Sequence, residues 1–456
     1  MPDQKLFYKN KLRLSLTPVQ LIVLGYLFFA VAGTLLLSLP FSIQPGVDLS
    51  FIDALFTATS AISVTGLTVV STPETFSLAG KVILVFLLHF GGIGIMTLGT
   101  LVFIIRGNQV NLRNRMMIMA DQNQTSMQGM VKLMLFIFKV AIIIELLGAL
   151  FFAAYMWAYY AVPVRDAVGL GIFHSVSGFT NGGFDLFGNS LMDFSHDYFL
   201  QGLLSVLLVA GAIGFPVLLE IYSYSKALRN RQRFRFSLYT RLTTITFGIL
   251  AIAGFLFTFL FEMPGVLAEL SWHQKISVAF FNSLNTRSGG FSSVDVAAFR
   301  DVTLIFFCFL MFVGGSPTSC GGGIRTTTFA VVFLSMLASL RGQNNVKVFR
   351  RELYEKDVMR AFTVLFIGLL LVFASTLILL QYEPISITEA LFEVCSAFGT
   401  TGLSIGIAGD LSIMGKSVLI VLMFVGRVGI ISLILMFQKR RTDEGFHFVK
   451  ERINIG

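Results

Sequence analysis

The stretch CSAFGTTGLSIG, residues 395–406, lies between two long apolar runs, and TSAISVTGLTVV, residues 59–70, has nearly the same texture. A hydrophobic chain that sets Ser, Thr and Gly between oily runs needs a physical reason to do so. Aligned on one glycine, four segments match: FTATSAISVTGLTVVS from 56, FHSVSGFTNGGFDLFG from 173, FFNSLNTRSGGFSSVD from 280 and FEVCSAFGTTGLSIGI from 392. The aligned glycines, Gly66, Gly183, Gly290 and Gly402, are 117, 107 and 112 residues apart. Spacing this even across a whole chain marks an internal fourfold repeat.

Each glycine follows a short, mostly apolar segment: 52–62, 167–179, 274–284 and 387–398. A helix of that length reaches roughly 16–20 Å at 1.5 Å per residue, too short for a bilayer core of about 30 Å. Such a segment enters and returns. The membrane setting follows from composition: 55% of the residues are hydrophobic, 13% are charged and the mean hydropathy is +0.80. That leaves too little polar side chain to cover a water-soluble globule.

Eight apolar stretches are long enough to span: 19–47, 82–105, 134–162, 198–219, 242–261, 302–324, 361–382 and 417–438. Lys139 and Glu145 interrupt the third, and Arg427 interrupts the last. Of the 34 basic residues, 25 fall in alternate connections, including Arg229, Arg231, Arg233 and Arg235 in one and Lys347, Arg350 and Arg351 in another. The intervening connections carry 15 acidic residues, among them Asp48, Asp53, Asp185, Asp295 and Glu393. By the positive-inside rule both termini lie in the cytoplasm of a multi-pass plasma-membrane protein and the outer face is acidic. The net charge of +9 is then a matter of topology, and no nucleic-acid partner is implied. Cys308, Cys320 and Cys395 lack metal-ligand spacing and read as small packed side chains.

Irregular backbone at membrane depth persists only where protein buries it or a wet cavity meets it. Four loops meeting on one axis satisfy that condition jointly, and a glycine in each lets carbonyl oxygens turn inward as a cage for a dehydrated cation. The short helices point their partly negative C-terminal ends at the loops, which favours a cation over an anion. The expected fold is therefore all-α integral membrane, with four helix–pore-loop–helix repeats around one central pore in pseudo-fourfold arrangement. Its divisions are a tail at 1–16, repeats at 17–105, 106–225, 226–340 and 341–438, and a tail at 439–456.

Four linked units with SVTGL, TNGGF, RSGGF and GTTGL in their loops closely resemble the Trk/Ktr/HKT potassium-transporter superfamily, most of all its Ktr membrane subunits, over nearly the whole chain. The resemblance implies a filter for K+ built from backbone carbonyls of Val64, Thr65 and Gly66; Asn181, Gly182 and Gly183; Ser288, Gly289 and Gly290; and Thr400, Thr401 and Gly402. A serine at the first filter glycine accompanies sodium transport in plant relatives, so Gly66 implies potassium here. The resemblance also implies a homodimer, a cytosolic nucleotide-binding regulatory ring of the KtrA type, and Na+ as a second ion. It implies no organic cofactor on this chain and no enzymatic activity.

Two features lie below the loops. The run GGSPTSCGGGIRTTT, 314–328, breaks the third repeat's last helix into two pieces joined by a polar loop. In the family this is an intramembrane gate, here Gly314, Gly315, Ser316, Pro317, Thr318, Ser319, Cys320, Gly321, Gly322 and Gly323, within 314–325. Arg427 sits in an apolar span, where an arginine needs a partner or water; the resemblance puts it beside the pore against that loop, and a buried pair with Glu145 or Glu220 is the alternative. Arg325 and Lys139 lie nearer the helix ends and are expected to reach out to the interface. Of the rival functions, an intramembrane enzyme lacks a convergent nucleophile and base. A coupled transporter for another small solute would show two matching repeats and a positively poised site.

Overall fold

The computed structural model describes residues 17–95, 130–343 and 345–437, together with Met116 and Glu451. The expected tail at 1–16, that at 439–456 apart from Glu451, most of the basic connection from 106 and the end of the 82–105 span lie outside the described residues. Four helices are long and apolar enough to cross a membrane: Pro18–Leu37, Val131–Tyr160, Leu238–Glu262 and Glu355–Tyr382. Their outward faces carry exposed Phe28, Leu150, Ile249, Leu260, Phe366 and Phe373. Apolar surface of this extent belongs against lipid rather than water. The chain is an all-α integral membrane protein.

Each long helix is followed by a short one: Phe51–Ser63, Val164–Thr180, Trp272–Asn285 and Ile387–Gly399. Three of the four begin behind a serine: Ser50, Ser271 and Ser386. At the fourth, Ser386 Oγ accepts the Glu389 N–H (3.2 Å) and Glu389 Oε2 accepts the Ser386 N–H (2.7 Å), a reciprocal cap that satisfies two amides otherwise left open. The ends are equally regular. Val64, Asn181 and Thr400 stop three of these helices in the left-handed conformation, with φ of 57°, 62° and 47°.

The eight expected spans are not eight straight helices. The second helix of a unit bends on a single glycine at Gly214 and Gly429, by 101° and 91°. Their backbones are nearly superposable, φ 99° and ψ 133° against φ 87° and ψ 140°. In the first unit Leu78–Ile93 ends at Gly94 with φ 100° and ψ 131°. These values lie where only glycine is unstrained. The third unit breaks more widely, between Asp301–Phe312 and Thr326–Leu340. Sequence reasoning anticipated that last break alone, because a lone glycine carries no signal in a chain with 42 of them.

The units pack in a closed order. The fourth unit's Ile413–Val428 lies against the first unit's Phe51–Ser63, and Leu78–Ile93 lies against the second unit's Val164–Thr180. At the closure Lys416 Nζ meets Asp53 Oδ1 at 2.8 Å, joining residues 363 positions apart.

Candidate functional site

The four glycine loops meet. A Cβ built on Gly66 would strike the Gly182 carbonyl oxygen, one on Gly183 would lie 2.8 Å from Gly290 Cα, one on Gly290 would lie 2.7 Å from the Thr401 oxygen, and one on Gly402 would strike the Thr65 oxygen. Each loop therefore touches the next, and the last returns to the first. All twelve residues Val64–Gly66, Asn181–Gly183, Ser288–Gly290 and Thr400–Gly402 are buried.

Their backbones repeat as well. The residue two before each glycine has positive φ: Val64, Asn181, Ser288 (67°) and Thr400. So do the glycines themselves, at 93°, 65°, 77° and 90°. A β-branched Val or Thr in the left-handed region is an outlier that surrounding structure must hold in place. Here the holding groups come from the short helices. Ser60 Oγ accepts the Gly66 N–H and Ser396 Oγ accepts the Gly402 N–H, both at 3.1 Å, from the same offset in two loops. Ser177, at that offset in the second loop, donates to the Phe184 carbonyl (2.7 Å). In the third loop Asn285 Oδ1 accepts the Phe291 N–H (3.1 Å).

Two further side chains hold the chain beyond the loop glycines. His174 and Glu393 occupy the same offset, nine before the glycine, in the second and fourth units. His174 Nε2 accepts the Leu186 N–H (3.3 Å) and Glu393 Oε1 accepts the Ile405 N–H (3.0 Å), each three residues past its glycine. His174 is also stacked between Phe152 and Phe187. The serine at offset six was legible in the aligned loops; the shared role of a histidine and a carboxylate was not, since the two residue types have no compositional likeness.

The segment 314–323 lies directly beneath. Cβ atoms built on Gly321 and Gly322 would run into the Ser288 and Thr400 side chains, and one on Gly323 would sit 3.0 Å from Gly399 Cα. Backbone bonds pin the segment to neighbouring units: Ser316 N–H to the Ala212 oxygen (3.0 Å), Cys320 N–H to Gly211 (3.1 Å), Phe215 N–H to the Thr318 oxygen (2.8 Å) and Gly323 N–H to Gly426 (3.3 Å). Tyr239 Oη donates to the Pro317 carbonyl.

Three arginines saturate carbonyls that the broken helices leave open. Arg427 donates to the Cys320, Gly91 and Gly92 oxygens, tying this segment to the first unit. The alternative carboxylate partners are engaged elsewhere: Glu145 pairs with His89 at 3.2 Å, and Glu220 accepts the Ser237 N–H at 3.0 Å. Arg325 does not extend to the interface as expected. It folds back on the Gly321 carbonyl, because the break puts unpaired backbone oxygen within its reach. Lys139 is exposed. Arg287, which sequence reasoning passed over, is fully buried and donates to the Leu310, Val313 and Gly314 carbonyls from behind the third loop. Cys308, Cys320 and Cys395 are buried free thiols.

Cavities flank this stack. One of about 370 Å³ lies over the four loop glycines and reaches Asp185, Ser190 and Ser404. A smaller one of about 80 Å³ lies on the other side of 314–323, against Arg325, Arg427, Thr318 and Ser319. Of the acidic residues named for the outer face, Asp185 lines the larger cavity. Asp53 is paired with Lys416, Asp295 caps the Ala297 N–H (3.0 Å) and Glu393 is buried in its loop.

A helical membrane fold whose short helices end at buried, glycine-centred loops beside two cavities defines the class of polytopic transport proteins. Residues 17–447 match the TrkH family model, described as a cation transport protein. The chain belongs to that family. It is 47% identical to the Ktr system potassium uptake protein D of Bacillus subtilis, over 98% of this chain and 99% of the relative. It is 34% identical to the potassium/sodium uptake protein NtpJ of Enterococcus hirae, over 98% and 99%. The fold is similar to the crystal structure of the potassium transporter TrkH from Vibrio parahaemolyticus, with a TM-score of 0.73, 20% identity, and coverage of 96% of this chain and 87% of that one.

Proposed function

We propose that the chain is the ion-passing membrane subunit of a Ktr-type potassium-uptake system. Cations collect in the 370 Å³ outer cavity, exchange water for carbonyl oxygens of the four loops, and pass 314–323 when that segment moves aside. The observation that carries the reading is the backbone repeat: positive φ at Val64, Asn181, Ser288 and Thr400 and again at the glycine two residues on. Two left-handed residues flanking a third are the means by which successive peptide oxygens come to one side, as a cage for a bare cation requires. The filter set is then 64–66, 181–183, 288–290 and 400–402, within repeats 17–105, 106–225, 226–340 and 341–438 around one pore.

The segment 314–323 with Arg427 acts as the gate. Its hydrogen bonds run to three other units, so displacement needs several bonds to break together. The same reading puts both termini and the basic connections on the cytoplasmic side of the plasma membrane, pairs the chain as a homodimer, and gives it a nucleotide-binding regulatory ring. The likeness to the Enterococcus potassium/sodium uptake protein supports Na+ as the second ion.

Flux into liposomes carrying the purified chain tests this. Rubidium and potassium are expected to enter, sodium less readily and chloride not at all, with uptake compared in the presence and absence of a sodium gradient. Chloride entry, or equal entry of all ions, ends the reading.

A further inference from the structure

Away from the loops, on the face where Leu340 ends one helix and Leu238 and Glu355 begin two spans, four arginines surround one cavity of about 430 Å³. They are Arg235, Arg241, Arg350 and Arg351, with Phe236 and Phe349 between them. None of the four is in an ion pair among the described residues, whose pairs are His89–Glu145, Asp357–Arg360 and Asp53–Lys416. Four guanidinium groups around one space repel one another unless an anion sits there. Guanidinium planes match phosphate oxygens two at a time.

The depth of the cavity selects among phosphates. Arg241 lies in the first turn of the spanning helix Leu238–Glu262, at the level where hydrocarbon gives way to headgroups. Phe349 is 45% exposed beside it, an apolar surface that a freely dissolved anion does not need. The chain also holds this arrangement against its own local preference. Phe349 and Arg350 are the two turn residues of the hairpin pairing Val348 with Arg351, and both have positive φ, 49° and 64°. Such a turn forms most easily with Asn-Gly.

We propose that this cavity binds the phosphate of an anionic phospholipid of the facing leaflet, with Arg235, Arg241, Arg350 and Arg351 on the phosphate and Phe236 and Phe349 against its glycerol and acyl portion. The proposal rests on the membrane reading of the chain but not on which ion it carries, so its failure leaves the flux experiment untouched.

The test is native mass spectrometry of the full chain in zwitterionic detergent, titrated with phosphatidylglycerol or phosphatidylcholine. Phosphatidylglycerol is expected to be retained and phosphatidylcholine not. The double variant Arg350→Gln/Arg351→Gln is expected to weaken retention roughly tenfold or more, given that each basic residue at an anionic surface supplies about a factor of five. Arg350→Lys/Arg351→Lys should restore part of it. The charge-matched pair Arg229→Gln/Arg231→Gln, outside the cavity, should leave it unchanged, and an unaltered melting temperature establishes that each variant is folded. Equal loss in both pairs would mean undirected surface charge and overturn the site. Displacement of the lipid by millimolar inorganic phosphate would assign the cavity to a soluble anion instead, and unchanged lipid retention with lost binding of a soluble regulatory protein would assign it to that partner; either overturns the proposal.

Discussion

At Gly66 and Gly290 a side chain meets two obstacles, a left-handed backbone and a neighbouring loop's carbonyl or Cα. Strain of about 1–2 kcal/mol per misfitted residue is enough to shift a loop that other loops lean on. Gly66→Ser and Gly290→Ser are therefore expected to reduce discrimination of potassium from sodium by about tenfold, the factor that 1.4 kcal/mol supplies. Competition of the two ions for rubidium uptake measures it, and unchanged relative affinities would remove 64–66 and 288–290 from the filter. The glycines themselves were legible, since four aligned loops expose them. The left-handed Val64 and Thr400 were not, because valine and threonine are poor candidates for that conformation. Arg287 escaped notice because its partners are backbone carbonyls, which have no signature in a sequence.

Among elements, the short helices were read to within a few residues: 387–398 was expected and Ile387–Gly399 is found, while 167–179 was expected and Val164–Thr180 is found. Length and a polar terminus define such a helix locally. The bends at Gly214 and Gly429 rest on single glycines with positive φ, which leave no local pattern, and the two differ in their surroundings. Those surroundings give a graded prediction. A Cβ at Gly429 meets nothing within 4 Å, whereas one at Gly214 lies 2.9 Å from the Pro317 oxygen and 3.1 Å from Tyr239 Oη. Gly429→Ala should cost only backbone strain, about 1–2 kcal/mol, and Gly214→Ala should cost more and loosen 314–323. Thermal unfolding in detergent would rank them, and equal melting shifts would count against the contact with Pro317. Shortening 316–323 itself is expected to raise rubidium flux by about tenfold or more, as lowering a barrier by at least 1.4 kcal/mol does. Unaltered flux in a folded variant would remove the gate assignment.

Across the whole molecule, spacing of 117, 107 and 112 residues makes the four glycine loops legible as a set, but not the contact that joins the last of these segments to the first. The seam between the last unit and the first carries the Lys416–Asp53 pair, whose side chains are 11% and 19% exposed. Lys416→Met and Asp53→Asn should each lower stability. Their double-mutant cycle should return a coupling near 1 kcal/mol, at the upper end for accessible pairs. A coupling of zero would leave closure to helix packing alone.

That seam exists because one polypeptide supplies every wall. In an assembly of identical subunits a single codon change is copied into all sides at once; here it alters one quadrant and spares the rest. The third loop, with Leu284 where its counterparts place serine, Asn285 taking up the Phe291 amide one position on and an arginine at its back, has already diverged in this way. Independent drift of the four loop segments thus allows each to be tuned separately.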